Sequence, residues 1–308
     1  MKFFVGVTDN NWYNFLANIK PDEVNFWQPK GKQTFKAIGV NDLFLFKLHH
    51  PLNFIVGGGI FVRYVPLPIS LAWEAFGNKN GTENYYSFRD TIYKYRKTDR
   101  KKDPDPVIGC IILTSPFFFN KNEWIAVPED WSPNIVRGKT YDTNTVIGKK
   151  LYQQIQKRLN KNVSVNIVCE NNMANRYGQK QVIYPRIGQG TFRVLVTEAY
   201  NRRCAITGEK TLPVLEAAHI KPYSQKGPHS ITNGLLLRRD LHTLFDRGYI
   251  TIDENLHIEV SKRIKEDYGN GREYYAYHGK KLATIPDTVF EKPDPKFLRW
   301  HNEHVFLG

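Results

Sequence analysis

The sequence predicts an α+β protein of two domains: a curled β-sheet or barrel with short helices, followed by a compact unit of strands and helices. Three observations predict it. Residues 1–140 are dominated by short aromatic and β-branched runs broken by Pro, Gly and Asn; residues 141–184 hold one amphipathic helical pattern and then a polar stretch; residues 185–308 gather His, Asn and Asp within one short stretch.

The 308 residues carry 44 Lys+Arg against 30 Asp+Glu, a formal net charge of +14, which points to a polyanionic partner. With 41% hydrophobic and 14% aromatic residues the chain is too apolar for disorder, and its length suits two domains with a core each. No apolar run approaches the ~18 residues a membrane span needs, and the opening residues do not read as a signal peptide, so a cytoplasmic protein with no membrane partner is expected. Cys110, Cys169 and Cys204 are odd in number and form no CxxC pair, which argues against a disulfide framework and against structural zinc. The basic clusters at 94–102, Arg202-Arg203 and Arg238-Arg239 are interleaved with Tyr and Phe, which favours nucleic acid over a membrane surface.

Strands are expected at residues 3–7, 43–48, 54–56, 60–65 and 108–113 from their length and β-branched or aromatic content. Short helices are expected over 70–76 and 87–95, with Ser70 and Ser87 as N-caps and Phe88, Ile92 and Tyr95 on one stripe of the second. Gly57-Gly58-Gly59 lacks the Lys-Ser/Thr of a phosphate-binding loop and reads as a tight turn between two strands. Ile147, Leu151, Ile155 and Leu159 mark one face of a helix, and the polar stretch 160–184 reads as the inter-domain connection.

The chemistry concentrates between residues 204 and 248. His219, Asn233 and His242 follow one another there, and Asp246 stands four residues after His242 in a stretch free of Gly and Pro. On a helix, His242 and Asp246 share a face and could grip one metal ion. His219 ends a β-prone run, at a strand end facing that helix. Cutting a phosphodiester needs a base for water, a divalent ion for the leaving oxyanion, and a group that orients the base, and these residue types supply all three.

In order, Cys-Ala-Ile-Thr-Gly, Ala-Ala-His-Ile-Lys-Pro, Asn-Gly-Leu-Leu-Leu, Asp-Leu-His-x3-Asp and Asp-Arg-Gly-Tyr-Ile-Thr-Ile-Asp resemble an HNH endonuclease domain of the ββα-metal fold, over about residues 185–261. The resemblance implies His219 as general base, Asn233 as the residue fixing the loop that orients it, and His242 with Asp246 as ligands of one ion, Mg²⁺ or else Mn²⁺, Co²⁺ or Ni²⁺. Many relatives place a metal-binding His or Asp immediately before the base, where this chain has Ala218. Many also carry a zinc-binding CxxC pair, whose place must be taken by packing around Cys204, Leu215, Leu237 and Phe245. Residues 185–204 resemble the lead-in helix of restriction-type members, which makes Arg186, Gln189 and Arg193, along with Arg238 and Arg239, candidates for phosphate contacts.

The first domain's Phe-Val-Gly-Val-Thr-Asp-Asn-Asn-Trp, Val-Asn-Phe-Trp-Gln-Pro and Gly-Val-Asn-Asp-Leu-Phe-Leu-Phe-Lys resemble the EVE domains of the PUA superfamily. Several members hold a flipped, often modified base in an aromatic pocket, and EVE-like domains joined to HNH nucleases are associated with restriction of DNA containing modified cytosine. The resemblance implies a phage-defence nuclease acting on double-stranded DNA marked with 5-methyl- or 5-hydroxymethylcytosine. Trp12, Trp27 and Trp73 are the candidate rings, and Asn25 the candidate hydrogen-bonding side chain; each Trp also fits a core position. Three alternatives stand beside this: a restriction nuclease for an unmodified sequence, a non-catalytic reader of a modified base, and a first domain that senses a small nucleotide signal. One HNH centre cuts one strand at a time, so a homodimer is expected for duplex breaks.

Overall fold

The structure is a computed structural model that describes residues 1–31, 34–161 and 187–308. It is α+β, and its chain divides into two compact units, Met1–Arg186 and Ile187–Gly308. The stretch 160–184 read as a connection begins with the last two residues of the helix Val146–Lys161, and its remainder, with Cys169 and the candidate Arg186, lies outside the described residues. None of the helices among the described residues is long and apolar enough to cross a membrane.

The first unit is built on one mixed sheet. Its strands are β1 (Lys2–Thr8), β2 (Glu23–Gln28), β3 (Leu43–Leu48), β4 (Phe54–Pro68), β5 (Val107–Phe118), β6 (Ile125–Ala126) and β7 (Gly138–Asp142), in the order β2-β5-β4-β3-β1-β7 with β6 on β4. The β1–β3 pair is parallel and all the others are antiparallel. Side chains alternate between faces with period two. Phe44 and Phe46 therefore join Phe26 and Phe61 under α1 (Asn10–Ile19), while Phe3, Val5, Leu43 and Leu45 join Leu151 and Ile155 of α4 (Val146–Lys161). Both faces of β3 are covered, and this is why its sequence is a nearly continuous apolar run.

Residues 54–65 form one strand rather than two separated by a turn. The three glycines lie within β4, where the backbone passes too close to its neighbours for a side chain: a Cβ on Gly57 would sit 2.2 Å from the Phe117 carbonyl oxygen, and one on Gly58 2.5 Å from that of Phe44. Close approach, not turn geometry, selects glycine here. The helix starts also differ from expectation. In α2 (Ile69–Phe76) the cap position is Pro68, and Ser70 instead donates its hydroxyl to Asp105 at 2.6 Å. In α3 (Tyr85–Arg96) the cap is Asn84, whose side chain accepts from the Ser87 amide at 3.0 Å. The helix thus begins at Tyr85, two residues before Ser87, so Ser87 lies inside its first turn and is a capped donor there, not the cap. Tyr93, not Tyr95, is the third buried side chain of α3 beside Phe88 and Ile92; Tyr95 stays 48% exposed.

In the second unit α5 (Gln189–Ala199) precedes a two-stranded antiparallel ribbon, β8 (Leu215–His219) with β9 (Gly234–Arg238), which runs straight into α6 (Arg239–Asp246). A hairpin of β10 (Ile250–Ile252) and β11 (Ile258–Val260) follows, then α7 (Arg263–Tyr268), α8 (Arg272–Tyr275) and α9 (Pro295–His304). Cys204, Leu215, Leu237 and Phe245 are all buried in one core with Phe192, Tyr200 and Leu241. The two strands and α6 make a ββα unit around a dry apolar centre.

Candidate active site

β8 ends at His219, and the register opposite it is Gly234 of β9. A Cβ on Gly234 would lie 2.4 Å from Val196 Cγ2 and 3.1 Å from the Phe192 ring, so the Asn-Gly pair lets α5 press against the ribbon. That contact brings the Phe192 ring flat onto His219, with centroids 3.8 Å apart and planes at 13°. On its other side His219 Nε2 lies 2.9 Å from Nδ1 of His229, which is itself stacked on Tyr223 at 4.5 Å.

The loop between the strands is pinned by Asn233, which is 0% exposed. Its Oδ1 accepts from the Lys221 amide, and its Nδ2 donates to the carbonyls of Lys221 and Pro228, each at 2.9 Å. The side chain thus ties both ends of the loop 221–228 together and fixes the backbone immediately before His229.

His242 and Asp246 meet one helical turn apart, Nε2 to Oδ2 at 3.3 Å. The other ring nitrogen, Nδ1, lies 2.9 Å from Glu216 Oε2, and Arg239 donates to the second Glu216 oxygen at 2.7 Å. Glu216 stands two residues before Ala218, on the same face of β8, and brings a carboxylate to His242 that Ala218 lacks. Sequence reading passed over both Glu216 and His229. The alternation of β8 carries a signal for Glu216; His229 had none beyond its place in the loop that Asn233 closes.

The electrostatics divide the site in two. Burial first, then the nearby His229 and His242, push the His219 pKa down to about 4, so it is neutral at pH 7 and keeps a lone pair. Burial raises the Asp246 pKa, with neighbouring Glu216 adding to the rise and His242 opposing it. Glu216 itself is held below the usual carboxylate range by its bonds to His242 and Arg239, which outweigh its burial.

Among the described residues no three His, Cys, Asp or Glu side chains close into a complete metal cage. The donor set still fits a divalent ion. An imidazole nitrogen and a carboxylate suit Mg²⁺, Mn²⁺ and similar ions, and two carboxylates flank a single imidazole with no Lys or Arg paired to Asp246 among the described residues. Glu216 on Nδ1 would hold that proton in place and aim Nε2 outward, the carboxylate–histidine arrangement common behind metal-binding imidazoles.

Residues 204–253 match the HNH endonuclease family. The chain carries an HNH endonuclease domain. HNH nucleases are generally metal-dependent, and their reaction is phosphodiester hydrolysis, so the chain is a nuclease. Among solved structures, ASCH from Zymomonas mobilis is similar with 10% identity and a TM-score of 0.33, over 50% of this chain and 94% of that one. A modification-dependent TagI restriction endonuclease is similar with 12% identity and a TM-score of 0.28, over 92% of this chain and 75% of that one. No curated protein matches the chain.

The remaining candidates sit as follows. Gln189 opens α5 and is exposed, and Arg193 is half-buried on the same helix. Arg238 is bound to Asp240 and Glu273 at 2.7 and 3.0 Å, and Arg239 to Glu216. In the first unit a cavity of 370 Å³ is lined by Trp12, Phe26, Trp27 and Tyr95, with Asp9, Lys30, His49 and Arg137 among its polar groups. Asn25 and Trp73 are not in its lining. Asn25 is 0% exposed inside β2 and donates to Asn80 at 2.8 Å and to Cys110 Sγ, while Trp73 packs on Tyr85 and Phe88. Trp12 is a core ring, 5% exposed and edge-on to Phe26 and Phe46, and reaches the cavity only along one edge.

One consequence concerns stability. His301 of α9 stacks on Phe245 at 3.8 Å and shares burial's effect, its pKa pushed down to about 4. Above pH 6.5 both folded and unfolded histidines are neutral. Between pH 6.5 and 4 the unfolded chain binds protons that folded His219 and His301 refuse, so stability falls as pH falls across that window. Calorimetric scans from pH 7 to 4.5 should show the second unit's transition moving down; a level or rising transition would contradict the burial assigned to these rings.

Proposed function

We propose that the chain is a modification-dependent DNA endonuclease: the first unit recognises a modified cytosine and the HNH domain hydrolyses the backbone. What supports the first half is the 370 Å³ cavity, which combines aromatic walls with a cationic rim at Lys30 and Arg137 and the imidazole of His49. A cavity of that size and lining suits one extruded base, whose unstacking cost of a few kcal/mol is offset by stacking on Trp27 and Tyr95, with the rim taking the flanking phosphates. Trp12 contributes an edge to the wall, and the base-edge contact first expected of Asn25 passes to the groups that face the cavity, Asp9 among them.

In the second half His219 takes a proton from water, which attacks phosphorus in line with the departing 3′ oxygen. Asn233 holds the loop that orients His219. His242 and Asp246 would hold the divalent ion, which when bound supplies charge stabilisation to the leaving oxygen. Glu216 fixes the proton on His242 Nδ1, and Gln189 and Arg193 on α5 would contact phosphate.

The test is digestion, in Mg²⁺ and Mn²⁺, of one phage or plasmid DNA prepared with cytosine, 5-methylcytosine, 5-hydroxymethylcytosine or its glucosylated form. Selective cutting of one modified form is expected, and Trp27→Ala should reduce that preference by about tenfold or more, the scale of one lost base–aromatic stack. Equal cutting of all four forms would overturn the modified-base reading and return the first unit to sequence or signal recognition.

A further inference from the structure

We propose that His229 is a positioning residue for the general base: it holds His219 in the tautomer that carries its proton on Nε2 and its lone pair on Nδ1. The inference rests on the assignment of His219 as base. The 2.9 Å contact between His219 Nε2 and His229 Nδ1 allows one proton between the two nitrogens. If His229 donates, His219 Nε2 is spent as an acceptor and the ring's own proton lies on Nδ1, leaving no lone pair for water. If His219 donates, Nδ1 is free, and among the described residues no hydrogen bond occupies it. Only the second arrangement can act on a substrate.

The surroundings are built to hold this pair. Phe192 covers one face of His219, and His229 is fixed by its stack on Tyr223, planes at 10°. His229 follows Pro228, whose carbonyl accepts from Asn233. Asn233 therefore reaches the base through His229: the amide sets the loop, the loop sets the imidazole, and the imidazole sets the proton.

The experiment compares the full-length wild type with His229→Ala and His229→Asn, each first shown to fold by its thermal transition. Asn places Oδ1 the same number of bonds from the backbone as His Nδ1, so it can accept the same hydrogen bond. Long-range ¹H–¹⁵N spectra of histidine-labelled protein should show the His219 proton on Nε2 in the wild type and in His229→Asn, and a mixture of tautomers in His229→Ala. On the DNA form the wild type cleaves, His229→Ala should lower kcat by about 10²-fold with KM unchanged, and His229→Asn should recover most of it. Wild-type His219 protonated on Nδ1, or wild-type kcat in His229→Ala, or a folded His229→Asn no better than His229→Ala, would each overturn the proposal. If His229→Ala does not fold, the wild-type tautomer and His229→Asn decide. Cleavage surviving in His219→Ala would instead remove the base assignment itself, whereas its loss together with an unaffected His229→Ala would remove only the role of His229.

Discussion

Replacing His219 by Ala should lower single-turnover cleavage by about 10²–10⁴-fold, the range lost with a general base, and leave DNA affinity unchanged. The expectation follows from how the ring is held. Burial and two neighbouring imidazoles keep it neutral, and Phe192 fixes its plane, so the lone pair is present and aimed before DNA arrives. The comparison that isolates this role is His242→Ala. Loss of one ligand weakens ion binding, so excess Mn²⁺ should recover part of the His242→Ala rate, whereas no metal concentration should recover His219→Ala. Quenched-flow cleavage with gel-shift binding on the same DNA measures both. Retained cleavage by pure His219→Ala would remove it from the role of base, and metal rescue would move it to the ion.

The parts of this molecule that were legible in the sequence are those where one local rule decides. Leu43–Leu48 reads as a strand because both of its faces are buried, and Val146–Lys161 reads as a helix because Leu151 and Ile155 recur at one face. The ordered His219, Asn233, His242 and Asp246 were legible because each spacing belongs to an element that fixes it: a strand end, a loop closure, a helical turn. What the sequence did not disclose depends on approach between distant segments. Gly57–Gly59 looked like a turn because glycine is compatible with turns, yet its cause is the Phe44 and Phe117 backbone alongside. Ser87 was misplaced for a local reason, since Asn84 three residues before it is an equally good cap and starts the helix earlier; Ser70 looked like a cap because nothing local reveals that Asp105, thirty-five residues on, takes its hydroxyl and amide. His229 and Glu216 were passed over for the same reason: their partners lie ten and twenty-six residues away. Among the tryptophans, composition could not separate Trp27 on the cavity wall from Trp73 among Tyr85 and Phe88.

Asn233→Ala should damage stability and cleavage together, and the two losses have one origin. The buried amide satisfies the Lys221 N–H and the Lys221 carbonyl, which truncation orphans, and also donates to the Pro228 carbonyl, which keeps its bond from the Ser230 amide at 3.0 Å. At about 1–3 kcal/mol for each buried group left without a partner, offset where the loop swings out to water, a net loss of about 3 kcal/mol is expected. That corresponds to a drop of about 10 °C in the second unit's transition. Cleavage should fall further than stability alone requires, because at temperatures where the variant is fully folded the loop no longer presents His229 to His219. Asn233→Asp separates the terms. Its carboxylate can still accept from the Lys221 amide, but it meets two carbonyl oxygens where Nδ2 donated, so it keeps one bond and turns two into repulsions. Asn233→Asp should therefore be at least as destabilising as Asn233→Ala near neutral pH and should recover on acidification as the carboxyl gains a proton to donate. Denaturant melts of Asn233→Asp and the wild type at pH 7 and pH 5 read this as the difference between the two proteins, since the wild type itself loses stability on acidification through His219 and His301. An Asn233→Asp protein as stable and as active as wild type at pH 7 would show that the loop is held by its own backbone turns and that Asn233 does not set the base.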